Sequence, residues 1–298
     1  MTPTMKHART ASLDIAYEES GPADGPPIIL MHGFPDDVRA WDGVVPPLVA
    51  EGHRVIVPYL RGYGPTRFLH PATPRSGQQA ALGDDLRALL DALAIPRAAL
   101  AGYDWGGRAC CIVAALWPQR VSGLVTIGGY NIQNIAASGA PAAPEQDMRH
   151  WYQWYFHTAR GQAGLRANTR EFCGLLWRLW SPNWRFDQSV LERTARSWEE
   201  NPDFVDVVIH SYRHRHRAAP GDPALEPIEV LLAAQPPITV PSINLHGAAD
   251  GVGPVAALDR DAAKFTGPYA RRIIPGAGHF LPWEAPEAVV AALRDLRV

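Results

Sequence analysis

Apolar residues along this chain gather in short runs closed by turn residues, and the runs recur from end to end. The clearest are Pro27 to His32, Arg54 to Pro58, Ala98 to Tyr103, Gly123 to Gly128, Val240 to His246 and Arg271 to Pro275. Such runs fit parallel strands buried on both faces. Helical stretches lie between them, for example Leu82 to Leu93 and Arg108 to Leu116. Strand alternating with helix predicts an α/β fold with a mostly parallel sheet covered on both sides. The opening segment, Lys6 to Glu19, reads as an antiparallel hairpin at the sheet's start.

The alternation stops after Tyr130. Ile135 to Pro144 is rich in Ala, Pro, Gly and Ser, a linker composition. From Glu145 to about Gln235 no strand pattern stands out, and strand character returns at Ile238. The expected organisation is a core of residues 1–130 and 236–298 with an inserted helical cap at 131–235. That insert carries Trp151, Trp154, Trp177, Trp180, Trp184 and Trp198, which make an apolar pocket wall an expectation.

Composition narrows the partners. With 298 residues the chain is long enough for a large domain with an insert. A net charge of -2 gives no basic stripe for nucleic acid. No apolar run reaches the roughly eighteen residues of a membrane span, and the N-terminus lacks a secretory pattern, so a cytoplasmic protein is expected. The cysteines Cys110, Cys111 and Cys173 show no metal or redox spacing. His210 and His214 are four apart, but no acid completes a metal site at matching spacing. No cofactor is implied. A homodimer is only the base-rate assembly.

The strongest local signal is Gly102-Tyr103-Asp104-Trp105-Gly106-Gly107, between an apolar strand and an apolar helix. A nucleophile elbow needs this strand–turn–helix setting and small residues two before and two after its central position. The central side chain then stands beside a helix N-terminus, which favours an anion. Alone, the motif would also suit a plain sharp turn. As an elbow it carries Asp where serine enzymes carry Ser, and that changes the chemistry. A carboxylate is already charged at neutral pH and forms an ester by attacking an sp³ carbon. Strained ethers and carbons bearing a halide are the matching electrophiles.

The other parts follow in the order nucleophile, acid, histidine. Asp250 lies just past the strand Val240 to His246, and His279 lies in the loop after the last strand. Catalytic groups of open α/β sheets collect at such strand ends. The loop Gly129-Tyr130-Asn131, another place for the acid, has no carboxylate. Upstream, His32-Gly33-Phe34-Pro35 follows a strand. The amides of Phe34 and Trp105 are the expected oxyanion donors, with Phe34 and Pro35 lining the pocket. A cis Phe34–Pro35 bond is expected, and His32 should shape the loop rather than react.

With these motifs in view, HGFP, DWGG, GAAD and GAGHF together resemble the epoxide hydrolases of the α/β-hydrolase superfamily. The resemblance covers nearly the whole core. It implies two cap tyrosines that bind and protonate the epoxide oxygen, one in a Tyr-Gln pair and one in a Tyr-Arg pair. Here these are Tyr152-Gln153 and Tyr212-Arg213, both inside the insert, with Trp154 beside the first. The chemistry agrees: ring opening leaves an alkoxide that needs a proton donor opposite the nucleophile, and a phenol stays neutral at working pH. The substrate implied is a small apolar epoxide. One departure is Tyr59, where relatives usually carry an acid, in a loop expected near the site mouth.

Two rivals remain. Haloalkane dehalogenases also place Trp after the Asp to hold the halide, but the Asn of their HGN loop is Phe34 here. Fluoroacetate dehalogenases put arginines after the nucleophile, where this chain has Trp105 and Gly106-Gly107, and His where Gln153 stands. The second rival is a non-catalytic ligand sensor, which has no use for a water-activating histidine.

Overall fold

The computed structural model describes residues 3–255 and 261–297. The expected hairpin forms from β1 (Thr4–Arg9) and β2 (Leu13–Ser20), with Lys6 opposite Tyr17. The next strands are β3 (Pro27–Met31), β4 (Arg54–Pro58), the short β5 (Arg67–Phe68) and β6 (Ala98–Tyr103). They are followed by β7 (Val121–Ile127), β8 (Ser242–Gly247) and β9 (Tyr269–Ile274). One sheet holds them in the order β1-β2-β4-β3-β6-β7-β8-β9, with β5 paired to β2. From β4 to β9 every pairing is parallel.

Burial explains which runs became central strands. All six residues of β6 and of β8 are buried, so neither strand has a solvent face. The last run departs from expectation. β9 is the edge strand, and Ala270, Arg271 and Ile273 are exposed along it rather than buried on both faces. Helices α1 (Val45–Ala50), α2 (Gln79–Ala92) and α3 (Asp104–Leu116) connect the first parallel strands. α3 starts four residues earlier than its apolar run, because the elbow itself is its first turn.

Between β7 and β8 the described residues contain helices and no strand. They include α4 (Pro144–Arg149), α5 (Trp151–Phe156), α6 (Ala159–Ala167), α7 (Thr169–Trp180), α8 (Gln188–Glu199), α9 (Phe204–Arg215) and α10 (Glu226–Ala233). α10 is tied to the start of α2: Glu229 accepts from the Ala80 amide at 3.1 Å and from both Gln78 and Gln79 side chains. No helix among the described residues is long and apolar enough to cross a membrane.

Chain order reverses around β3, whose neighbours are β4 on one side and β6 on the other. A crevice opens at the C-terminal ends of strands where order reverses, and ligands of open α/β sheets bind there. Phe34 follows β3 and Asp104 follows β6, so the two loops singled out in the sequence face each other across that point.

Candidate active site

Asp104 sits at the junction of β6 and α3 with φ of +48°, a left-handed backbone that costs energy for a non-glycine residue. The turn survives because its surroundings leave no alternative. A Cβ on Gly106 would stand 2.1 Å from the Met31 carbonyl oxygen, and one on Gly33 would stand 2.5 Å from the Asp104 Cβ. The two loops therefore touch, and the Phe34 N–H donates to Asp104 Oδ1 at 2.8 Å. The Trp105 amide makes no hydrogen bond to this carboxylate among the described residues. The Phe34–Pro35 bond is cis. His32 shapes the loop as expected: it is fully buried, accepts from the Leu60 amide at Nε2 and donates to the Gly33 carbonyl from Nδ1.

His279 and Asp250 arrive from the loops after β9 and β8. His279 Nδ1 lies 3.0 Å from Asp250 Oδ2, and its Nε2 lies 3.9 Å from Asp104 Oδ2 with no hydrogen bond of its own. Asp250 is fixed in turn, since its Oδ1 accepts from the amides of Val252 at 2.7 Å and Gly253 at 3.2 Å. Burial alone would push the histidine down, but the charge and hydrogen bond of Asp250, with Asp104 beyond, hold it above its ordinary value of 6.5. Burial would likewise raise Asp250, and the attraction of His279 overrides it and keeps the carboxyl below its usual value. The arrangement is a carboxylate at the elbow, an imidazole whose unbonded Nε2 faces it, and a second carboxylate bonded to the other ring nitrogen.

Tyr152 on α5 and Tyr212 on α9 meet with ring centroids 5.3 Å apart. Both are buried, at 2% and 1% exposure. Tyr212 packs on the rings of Phe34 and Trp105 at 5.6 and 6.1 Å, which puts it over the elbow. Burial pushes Tyr152 up to about 12 and Tyr212 well above the ordinary phenol value, and the charge of Asp104 adds to both. Gln153 donates to the Tyr152 hydroxyl oxygen at 3.0 Å. It orients that hydroxyl and leaves the phenolic proton free for another acceptor. Pro35 is buried, with its carbonyl accepting from Trp177 Nε1 at 2.6 Å. Trp154 is not brought to the site: it is 41% exposed and lies against His157 and His216. Tyr59 borders a surface cleft with Asp37, Arg39, Arg193 and Arg196, while Tyr63 of the same loop packs on Trp105 at 6.3 Å.

Several supporting residues carried no sequence signal. Asp36 is fully buried and accepts from Tyr103 Oη at 2.5 Å and Trp283 Nε1 at 2.8 Å, which ties the Phe34 loop to the residue preceding Asp104. Glu284 accepts from the Gly278 amide and from Ser181, whose Oγ accepts from the Phe280 amide, so the His279 loop is braced on both sides. Trp180 packs on His279 at 5.1 Å and on Tyr152 at 5.0 Å. A cleft of 760 Å³ between α7 and the loop after β8 reaches Trp180 and Asp250. His210 is spoken for, accepting from the Gly77 amide and donating to the Pro220 carbonyl.

Comparison with known proteins agrees with the geometry. The model of the alpha/beta hydrolase fold family matches residues 26–286. A Klebsiella pneumoniae crystal structure, provisionally assigned as an epoxide hydrolase, is 46% identical, with a TM-score of 0.96 over 99% of this chain and 98% of the other. Epoxide hydrolase A of Mycobacterium tuberculosis is 26% identical over 98% of this chain and 97% of its own length. The crystal structure of epoxide hydrolase A from Mycobacterium thermoresistibile is 25% identical, with a TM-score of 0.77 over 99% and 98% of the two chains. The chain therefore belongs to the alpha/beta hydrolase family and is an epoxide-hydrolase-like enzyme within it.

Proposed function

We propose that this enzyme opens an epoxide to a vicinal diol through a covalent ester on Asp104. The observation that carries the reading is a carboxylate at the elbow, set between the Phe34 amide and His279, with two buried phenols above it. Residues 131–235 act as the cap that brings those phenols in. In the first step an Asp104 oxygen attacks one ring carbon while the ring C–O bond breaks. Tyr152 and Tyr212 hold the departing oxygen, and one of them protonates it. In the second step His279 Nε2 takes a proton from a water that attacks the ester carbonyl. The Phe34 N–H, already on Asp104 Oδ1, stabilises the oxyanion. Collapse releases the diol, protonated by His279, and the remaining carboxyl proton returns to the phenolate, which restores the Asp104 carboxylate and the tyrosine.

The decisive test uses His279→Gln, which should alkylate and then stall. Exposed to epoxides, haloalkanes and haloacids, it should gain the whole mass of an epoxide, and the Asp104→Ala/His279→Gln double variant should gain nothing. No adduct from any compound would overturn the reading.

The same base sets a pH dependence. Nε2 must be unprotonated to accept the water's proton, and Asp250 holds His279 above 6.5. Ester hydrolysis should therefore slow as pH falls through a midpoint above 6.5. Asp250→Asn should move that midpoint to lower pH as well as reduce the rate. A single-turnover pH profile with an unshifted limb would remove Asp250 from this role.

One observation favours a second reading. Trp105 and Trp180 both pack on Phe34, at 5.6 and 6.0 Å, and each has a buried indole N–H without an acceptor. Two such donors suit a leaving halide. An adduct equal to a halogenated substrate less hydrogen halide would make the enzyme a dehalogenase and demote the tyrosines.

A further inference from the structure

The reacting groups stand in an enclosed space: the Asp104 side chain is 13% exposed, and His279, Tyr152 and Tyr212 are buried. Trp180 belongs both to this space and to the 760 Å³ cleft between α7 and the loop after β8. It lines the cleft, and its ring packs on His279 at 5.1 Å, on Tyr152 at 5.0 Å and on Phe34 at 6.0 Å. Its backbone is pinned, because its carbonyl accepts from the Gly251 amide at 2.9 Å and the His279 amide at 3.1 Å. Its indole N–H has no acceptor among the described residues, so packing alone holds the ring. Asp250 is shared in the same way, since it lines the cleft and bonds His279. The cleft is therefore continuous with the wall of the site.

Three cap helices give the cleft an apolar floor: Met148 comes from α4, Trp151 from α5 and Leu179 from α7. Met148 is 69% exposed and Leu179 47%. Large apolar side chains gathered in one concave patch beside a reacting centre mark the place of a ligand. The charged groups on the wall are already engaged. Asp250 holds His279 and two amides, and Arg149 donates to the Gly251 carbonyl at 3.2 Å. A ligand here gains by burying hydrocarbon and needs no charge of its own. Clefts of this volume enclose most of a drug-sized molecule, far more than an epoxide ring. Beyond Phe34 the site is closed by the buried rings of Phe156 and Phe204, packed on it at 6.4 and 6.3 Å. Room therefore exists for one long substituent, on the Trp180 side.

We propose that this cleft takes an unbranched apolar chain of the substrate, which passes Trp180 to present its ring to Asp104. The preferred epoxides are then terminal ones carrying such a chain, not the small epoxide expected from the sequence. Met148, Trp151 and Leu179 set the length that is favoured. The proposal rests on the epoxide reading only for the identity of the reacting group.

The test compares the terminal epoxides of butane, hexane and octane as substrates, and the vicinal diols of butane and octane as unreactive ligands in titration calorimetry. In the unmodified enzyme each added methylene should improve kcat/KM and Kd by roughly 2–4-fold, the share of a CH₂ taken out of water. Leu179→Asp and Met148→Asp change exposed positions and should flatten that dependence. Val230→Asp, at an exposed position of α10 outside the cleft, should leave it steep. Equal handling of butane and octane compounds by the unmodified enzyme would overturn the proposal. A steep dependence that survives in both folded cleft variants would place the chain elsewhere and overturn it too. Octane diol bound through Leu179 and Met148, with no adduct from any epoxide on His279→Gln, would support the chain site while refuting the epoxide chemistry.

Discussion

Replacing Asp104 by Ala should lower diol formation by roughly 10⁶-fold, the scale seen when a covalent nucleophile is removed from an intact site. The two acids that flank the site cannot stand in. Asp250 is committed to the histidine and two amides, and buried Asp36 holds Tyr103 and Trp283. The Ala variant also strips the Phe34 N–H of its acceptor, so a loss of activity could be blamed on a loosened loop. Asp104→Asn separates the two effects. Its amide oxygen can keep the Phe34 bond while the charge that attacks carbon is gone. The Asn variant should match the Ala variant in lost turnover and match the unmodified protein in thermal midpoint. Turnover within tenfold of the unmodified enzyme in either variant would remove Asp104 as nucleophile.

The second large effect is on ring opening. Tyr152→Phe and Tyr212→Phe should each slow alkylation by roughly 10²–10⁴, the usual share of one positioned proton donor. The rate to follow is adduct formation in the His279→Gln background, because it isolates the first step. The double variant should lose less than the product of the two single losses, since both phenols serve one oxygen. Tyr155 is the control: it stacks on Phe172 at 5.9 Å away from the elbow, and its Phe variant should alkylate at the normal rate. If Tyr152→Phe and Tyr212→Phe left alkylation of an epoxide unchanged, the oxygen would have to be protonated from elsewhere. Unpaired Trp105 and Trp180 would then gain weight as the leaving-group side of the site.

The division between the two halves of the site follows the range of the forces involved. The strands, the elbow and the order of Asp104, Asp250 and His279 were legible in the sequence because each depends on a few neighbouring residues. Apolar runs mark strands that have no solvent face, and glycine marks a backbone that a side chain would obstruct, as at Gly106. The edge strand β9 was misjudged for a related reason: Ile273 and Ile274 read as buried, but only the sheet order shows that β9 ends the sheet among the described residues.

Tertiary structure decided which side chains of each cap helix turn toward Asp104. α5 is Trp-Tyr-Gln-Trp-Tyr-Phe, six residues without the polar and apolar contrast that would mark an inner face. Packing against α9 turned Tyr152, Gln153 and Phe156 inward and left Trp154 outside. Asp36 reads in sequence as a loop acid. Its role depends on which distant groups come near, Tyr103 and Trp283. Local sequence determined where Asp104 and His279 stand, through short-range backbone geometry. Long-range packing decided which phenols and braces surround them, because burial and the pairing of charges are properties of the assembled chain.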